Sequence, residues 1–186
     1  QKTIAQDGVL MIPAFAIERT QELLHDIEHF CQVGNCATPT FYLDSPLAIA
    51  ITRVFEKYPQ YLNQKLLQGH AVGNIFALPR LVICETVEQS KEINTAPNPK
   101  IIIAGAGMLN GGRILYHLQR YMEDHTNTLL FVGYQARGTL GRRILDGEKE
   151  IKIFGQKYNV AANIYAIGSY SAHADCVQLL AWLEKI

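Results

Sequence analysis

Four short segments hold residue types able to act on a phosphate. Gly105, Gly107, Gly111 and Gly112, followed by Arg113, lie between an apolar run and a helical pattern. Glycines at such a junction let backbone amides approach an anion, and the dipole of the following helix favours negative charge. The spacing is neither Gly-x-Gly-x-x-Gly nor a P-loop, so a tight turn accounts for it equally well. Residues 133–139 form a second strand-to-helix link, where Arg137 offers a planar fork to a phosphate and Tyr134 a face to a base. A solvated cationic turn is the plainer account. In residues 169–175, His173 precedes Asp175 by two positions, close enough for the carboxylate to orient the imidazole, with Ser169 and Ser171 just upstream. That set suits a proton donor, a phosphate contact or a metal ligand, and also an ordinary structural histidine. The fourth segment, Asp44-Ser45-Pro46, is explained by a helix cap: Ser45 at N-cap and Pro46 at the first helical position.

The remaining histidines, His25, His29, His70, His117 and His125, make no metal set. His25 and His29 are spaced to share a helix face, but two ligands without a third do not make a zinc site. Cys31, Cys36, Cys84 and Cys176 contain no Cys-x-x-Cys pair, so they read as free thiols suited to a reducing cytoplasm.

These segments need a scaffold. Residues 8–15 and 100–104 are apolar with little alternation, as strands covered on both faces are. Further strands are expected at 40–43, 81–84 and 128–132. A helix after residues 8–15 should bury Leu23, Leu24, Ile27, Phe30 and Cys31, with Glu22, Asp26 and Glu28 outside. Other helices are expected from Pro46 to about Lys57, from Thr86 with a Thr86–Gln89 capping box, over 113–123 and over 139–146, with an amphipathic piece at 61–67. Residues 150–154 and 158–167 read as two more strands joined by a turn at 155–157, and residues 174–186 as a final helix. Five strand–helix alternations predict an α/β, Rossmann-like fold: a mostly parallel sheet covered by helices, with a C-terminal strand pair and helix. Ligands of such sheets sit beyond the carboxyl ends of the strands. Asp44, Ser45, Glu85, the 105–112 loop, Tyr134, Arg137 and His173 would all fall on that one edge.

Composition bounds the rest. The chain has 186 residues, 48% apolar and 18% charged, enough for a core and long enough for one domain. No run reaches the ~18–20 apolar residues of a membrane helix. Lys plus Arg is 17 and Asp plus Glu is 17, so the total shows no basic footprint for nucleic acid, though a local basic groove is compatible with it.

Taken in order, five segments resemble one family. They are residues 12–23, Leu43-Asp44-Ser45-Pro46-Leu47-Ala48, residues 101–113 with Gly107, Gly111, Gly112 and Arg113, residues 133–140, and Ser171-Ala172-His173-Ala174-Asp175. Together they resemble the β-CASP region of the RNA-processing branch of the metallo-β-lactamase superfamily, nearest its bacterial and archaeal RNA-directed members, over about residues 8–186. The resemblance implies a ribonuclease with two zinc ions between two domains, in which the β-CASP part closes over the site as a lid and grips RNA. It implies that His173 contacts the scissile phosphate as general acid, that Asp175 is its acidic partner, and that Ser171 lies near the phosphate. Arg137, Tyr134, Gly107, Gly111, Gly112, Arg113 and Ser45 are the expected RNA- or phosphate-facing residues.

The family's His-x-His-x-Asp-His metal run is absent, and a terminal ligand histidine would fall past Ile186. The chain starts at Gln1 rather than Met. It is therefore expected to be an insert cut from a longer cytoplasmic enzyme: residues 1–168 the β-CASP domain, residues 169–186 the return into a flanking metallo-β-lactamase domain. As such a fragment it should hold no metal of its own and be inactive. An apolar face toward the missing domain, able to drive homo-oligomerisation, is also expected. Two alternatives stay open: a Rossmann-like nucleotide-binding module, and the same domain from a DNA-directed nuclease.

Overall fold

Every residue of Val9–Pro13 (β1) is apolar, so the strand has no side to give to solvent and takes an interior place in a sheet. A computed structural model describes residues 2–33, 39–63, 76, 78–168, 170 and 174–185. A short α1 (Lys2–Ala5) precedes β1. There follow α2 (Arg19–Val33), β2 (Thr40–Asp44), α3 (Pro46–Lys57), β3 (Leu81–Ile83), α4 (Val87–Glu92), β4 (Lys100–Ala104), α5 (Ile114–Tyr121), β5 (Thr128–Phe131), α6 (Leu140–Leu145), β6 (Glu150–Ile153), β7 (Gln156–Asn159), β8 (Asn163–Ala166) and α7 (Cys176–Leu183). The sheet is six-stranded and parallel, in the order β3-β2-β4-β1-β5-β8.

This order divides the helices between two faces. Leu23 and Leu24 of α2 and Ile49 of α3 pack with Ile12, Phe41, Leu43 and Ile103 on one side. Ile93, Ile114, Leu118 and Ile144 pack with Met11, Ile102, Leu129 and Phe131 on the other, together with Ile151 and Ile153 of β6. Both faces of β1 and β4 are thereby covered, which is why their sequences do not alternate. Among the described residues no helix is long and apolar enough to cross a membrane.

The α/β, Rossmann-like reading agrees with this architecture, and the structure refines it in four places. The stretch 158–167 is not one strand: β6 and β7 form an antiparallel hairpin, and the chain then crosses to place β8 beside β5 in the main sheet. The backbone N–H groups of Ala161 and Ala162 both donate to Met122 O, which breaks the run. The hairpin turn is Phe154-Gly155, not 155–157; both residues have positive φ, 49° and 82°, as a two-residue hairpin matching strand twist requires. On α2 Leu23, Leu24, Ile27 and Cys31 pack into the core as expected, while Glu28 is buried and Phe30 is 58% exposed. Of the expected amphipathic piece at 61–67, Pro59–Tyr61 forms a single 3₁₀ turn, and residues 64–67 lie outside the described residues.

The loop after β4 closes on itself. Ile114 N donates to Gly105 O at 3.0 Å, and Ala106 N to Gly111 O at 3.2 Å. Gly112 has φ +78°, and a Cβ there would stand 2.2 Å from Gly105 O. Glycine is therefore required by both conformation and space. Gly112→Ala is expected to lower unfolding free energy by about 1–3 kcal/mol or more, read from urea denaturation. An alanine variant as stable as the parent would contradict this loop geometry.

Candidate nucleic-acid interface

At the carboxyl edge of the sheet, β1 and β2 lead to helices on one face while β4, between them, leads to α5 on the other. Strands that diverge in this way leave a crevice at their ends. Here it is a cleft of about 460 Å³ with Phe15, Ser45, Leu47, Gly107, Gly112 and Arg113 in its walls. Phe15 seals one side: a Cβ on Gly107 would sit 2.9 Å from its ring. Ser45 fulfils its capping role, with Oγ accepting from Ala48 N and Pro46 at the first helical position.

Beneath the cleft lies a buried ionic cluster. Asp44 is 0% exposed. Its Oδ1 accepts from Arg113 at 2.7 Å; its Oδ2 accepts from Ser90 Oγ at 2.6 Å and from His117 Nε2 at 2.7 Å. Burial pushes the Asp44 pKa up, but the hydrogen bonds from His117, Ser90 and Arg113 outweigh it and hold the carboxyl below its ordinary value. An ionised Asp44 only accepts, so His117 Nε2 carries the proton of that bond. Arg113 also donates to Cys84 O at 2.8 Å and Glu85 O at 2.9 Å. The end of β2, the loop after β3, α4 and α5 are thus tied to one carboxylate. Burial, and then the Asp44 charge, raise the Cys84 thiol to about 11, so it stays a protonated, inert core residue.

The loop 133–139 is fixed differently. Gln135 is buried, and its Nε2 donates to Gly107 O at 2.9 Å and to Gly133 O at 3.1 Å. Thr139 caps α6 by accepting from Arg142 N. Tyr134, 63% exposed, just before Gln135, and Arg137, also exposed, between the two anchors, lie on the same edge that carries the 105–112 loop.

Other sequence-selected residues fall as follows. Gly111 is part of the closed loop, with open space where its Cβ would be. The amides at the start of α5 are engaged within the loop: Ile114 N by Gly105 O, Leu115 N by Gly112 O and His117 N by Arg113 O. The glycines therefore shape the turn, and α5 presents no free first-turn amide from these positions. Asp175 caps α7: its Oδ1 accepts from Gln178 N at 2.8 Å, and its own N donates to Gln178 Oε1 at 2.9 Å. Ser171 and His173 lie outside the described residues. Just before them, Tyr170 OH donates to Asp26 Oδ2 at 2.6 Å, and the Arg19 guanidinium lies 5.5 Å from the Tyr170 ring, fastening this end of the loop to α2. Sequence reading missed Ser90, His117 and Gln135. Only the four-residue spacing of Arg113 and His117 hinted that both face one way from α5.

Comparison with known proteins adds four matches. A family model described as the Beta-Casp domain matches residues 20–144. Ribonuclease TTHA0252 of Thermus thermophilus is 37% identical over 185 residues, 99% of this chain and 42% of that protein. The transcription termination factors FttA of Methanosarcina mazei and Thermococcus kodakarensis are 33% and 32% identical over all of this chain, which covers 30% and 29% of them. The chain thus spans less than half the length of these relatives.

Asp44→Asn should cost about 3–5 kcal/mol at neutral pH, because it leaves the Arg113 charge, 17% exposed, without its carboxylate. The folded pKa of Asp44 lies below the unfolded one. Its stabilisation is therefore full above about pH 4 and is lost as pH falls through the folded value. Urea unfolding at several pH values should show the two proteins converging as pH drops below about 4. A constant gap down to the lowest accessible pH would contradict the assignment.

Proposed function

We propose that this chain, which belongs to the Beta-Casp domain family, is the RNA-gripping lid of a zinc-dependent ribonuclease. The carrying observation is the convergence of exposed Tyr134 and Arg137 with the 105–112 loop on one sheet edge, locked together by Gln135. A planar guanidinium and an aromatic face, held on rigid anchors, suit a single-stranded phosphodiester. Arg137 takes the backbone phosphate, Tyr134 stacks on a base, and Ser45, Gly107, Gly111, Gly112 and Arg113 form the floor beside them. The names of the relatives, a ribonuclease and transcription termination factors, favour RNA over DNA. The engaged amides of α5 weigh against a dinucleotide cradle.

The reading assigns His173 the proton that passes to the leaving oxygen of the scissile phosphate, with Ser171 beside that phosphate. Asp175 fixes the start of α7, two residues after His173. Zinc in such an enzyme supplies an activated water. The reading places the metal ligands in a flanking metallo-β-lactamase domain and routes no step of this chain through them.

Residues 1–168 would then be the lid and 169–186 the return segment. Every described residue of α7 is exposed, including Val177 at 73%, Trp182 at 60% and Leu183 at 58%. That apolar helix supplies the face for the flanking domain and, with the chain alone, a route to self-association. Free Cys84 and Cys176 suit the cytoplasm such an enzyme works in.

The test is cleavage of RNA by the whole protein carrying His173→Ala, beside the unmutated protein. Loss of a general acid should reduce the rate about 10²–10⁴-fold, with zinc content and circular dichroism unchanged. Undiminished cleavage would overturn the assignment of His173 while leaving the family membership intact.

A further inference from the structure

Away from the sheet edge, α4 and α5 run side by side on the face opposite α2 and α3, and between them lies a second groove of about 760 Å³. Its chemistry differs from that of the edge cleft, whose walls are largely apolar. Lys91 and Arg120 contribute cations, and Arg113 closes the end nearest the edge. Ser90, Asn94 and Gln119 add neutral hydrogen-bonding groups, and no Asp or Glu is among the described residues that line it. Tyr116, 62% exposed, stands on the rim with its ring 5.0 Å from that of Phe154, which is 59% exposed at the hairpin tip.

Arg113 lines both the groove and the edge cleft, so the two adjoin at that residue. Both helices start at the carboxyl edge of the sheet and run away from it. The groove therefore leads from that edge along a track about 12 Å long, the length of α5. Exposed Lys91 and Arg120, amides and hydroxyls between them, and an aromatic platform at the rim are what a single-stranded nucleic acid takes up without sequence preference.

We infer that the α4–α5 groove is an RNA exosite: it holds nucleotides of the same strand whose scissile phosphate lies at the sheet edge, and so rests on the lid reading above. Tyr116 stacks on a base, Lys91 and Arg120 take backbone phosphates, and Arg113 sets the turn between the two surfaces. The groove grips the strand away from the reacting bond and contributes length dependence, with no part in the chemistry.

The experiment measures binding of a fluorescent, cleavage-resistant 2′-O-methyl oligouridylate to the whole protein by anisotropy, across a salt series. Tyr116→Ala should weaken binding roughly tenfold, and Lys91→Gln should reduce the log–log salt slope by about 0.7. Both side chains are exposed, and equal thermal unfolding of the variants shows that the fold is kept. Tyr134→Ala and Arg137→Ala serve as edge controls. Weakening at both places supports the exosite. Unchanged binding by Tyr116→Ala and Lys91→Gln, with losses in the edge variants, overturns the exosite and leaves the lid reading standing. No RNA binding by the unmutated protein overturns both. Displacement of the RNA from the groove by uridine monophosphate at equal concentration would assign the groove to free nucleotides and overturn the exosite.

Discussion

A single buried carboxylate organises the carboxyl edge of this sheet. Asp44 stands at the last position of β2, fully enclosed, and accepts from Ser90, Arg113 and His117. Placing a charge there is costly, and the cost is offset only while all three donors are in place. That condition fixes α4 and α5 relative to β2, and through Arg113 it also holds the carbonyls of Cys84 and Glu85. A hydrophobic cluster alone would tolerate sliding of these helices. Three directional bonds to one buried group do not. The edge cleft and the α4–α5 groove both rest on this tie, since Arg113 lines each and His117 lines the groove.

Topology supplies the second constraint. The strand order β3-β2-β4-β1-β5-β8 puts β4 between two strands whose following helices lie on the opposite face. The chain must leave the sheet in diverging directions at that point, and a crevice opens. Its neighbouring loop cannot wander, because Gln135 bridges the 133–139 loop to Gly107 O and Gly141 N reaches Met108 O. Exposed Tyr134 and Arg137 are thus mounted on a loop whose base is buried. A ligand then meets side chains that have lost little further freedom on binding.

Much of this was legible in the sequence wherever the physics is local. β1 and β4 were legible because their apolar runs do not alternate, and the caps at Ser45 and at Thr86–Gln89 are contained within four residues. The Asp175–Gln178 box is equally local, yet the same aspartate also suited a partner for His173, and spacing alone could not rank the two. What escaped was long-range. Ser90, Arg113 and His117 are 46, 69 and 73 residues from Asp44, and nothing in their own neighbourhoods points to it. The departure of β8 from the hairpin depends on one distant carbonyl, Met122 O. Glu28 was misplaced because a charge at a helical position reads as solvent-facing until the neighbouring helix is known.

The neutral total charge conceals a sorting that composition cannot express. Arg53, Arg142 and Arg143 are paired with Glu85, Asp146 and Glu148, and Arg113 with Asp44. Their charges are largely cancelled where they stand. Arg120 by contrast bonds a carbonyl, Asn94 O, and Lys91 and Arg137 have no carboxylate within ion-pair distance among the described residues. Those three form no ion pair among the described residues, as Lys57, Lys149, Lys152 and Lys185 also do not, and they lie in the α4–α5 groove and on the sheet edge. Arg113 shapes the junction between the two surfaces, while the attraction for phosphate comes from these uncompensated neighbours. A chain with no net charge can therefore still present a positive track, provided its carboxylates are spent on the arginines outside it.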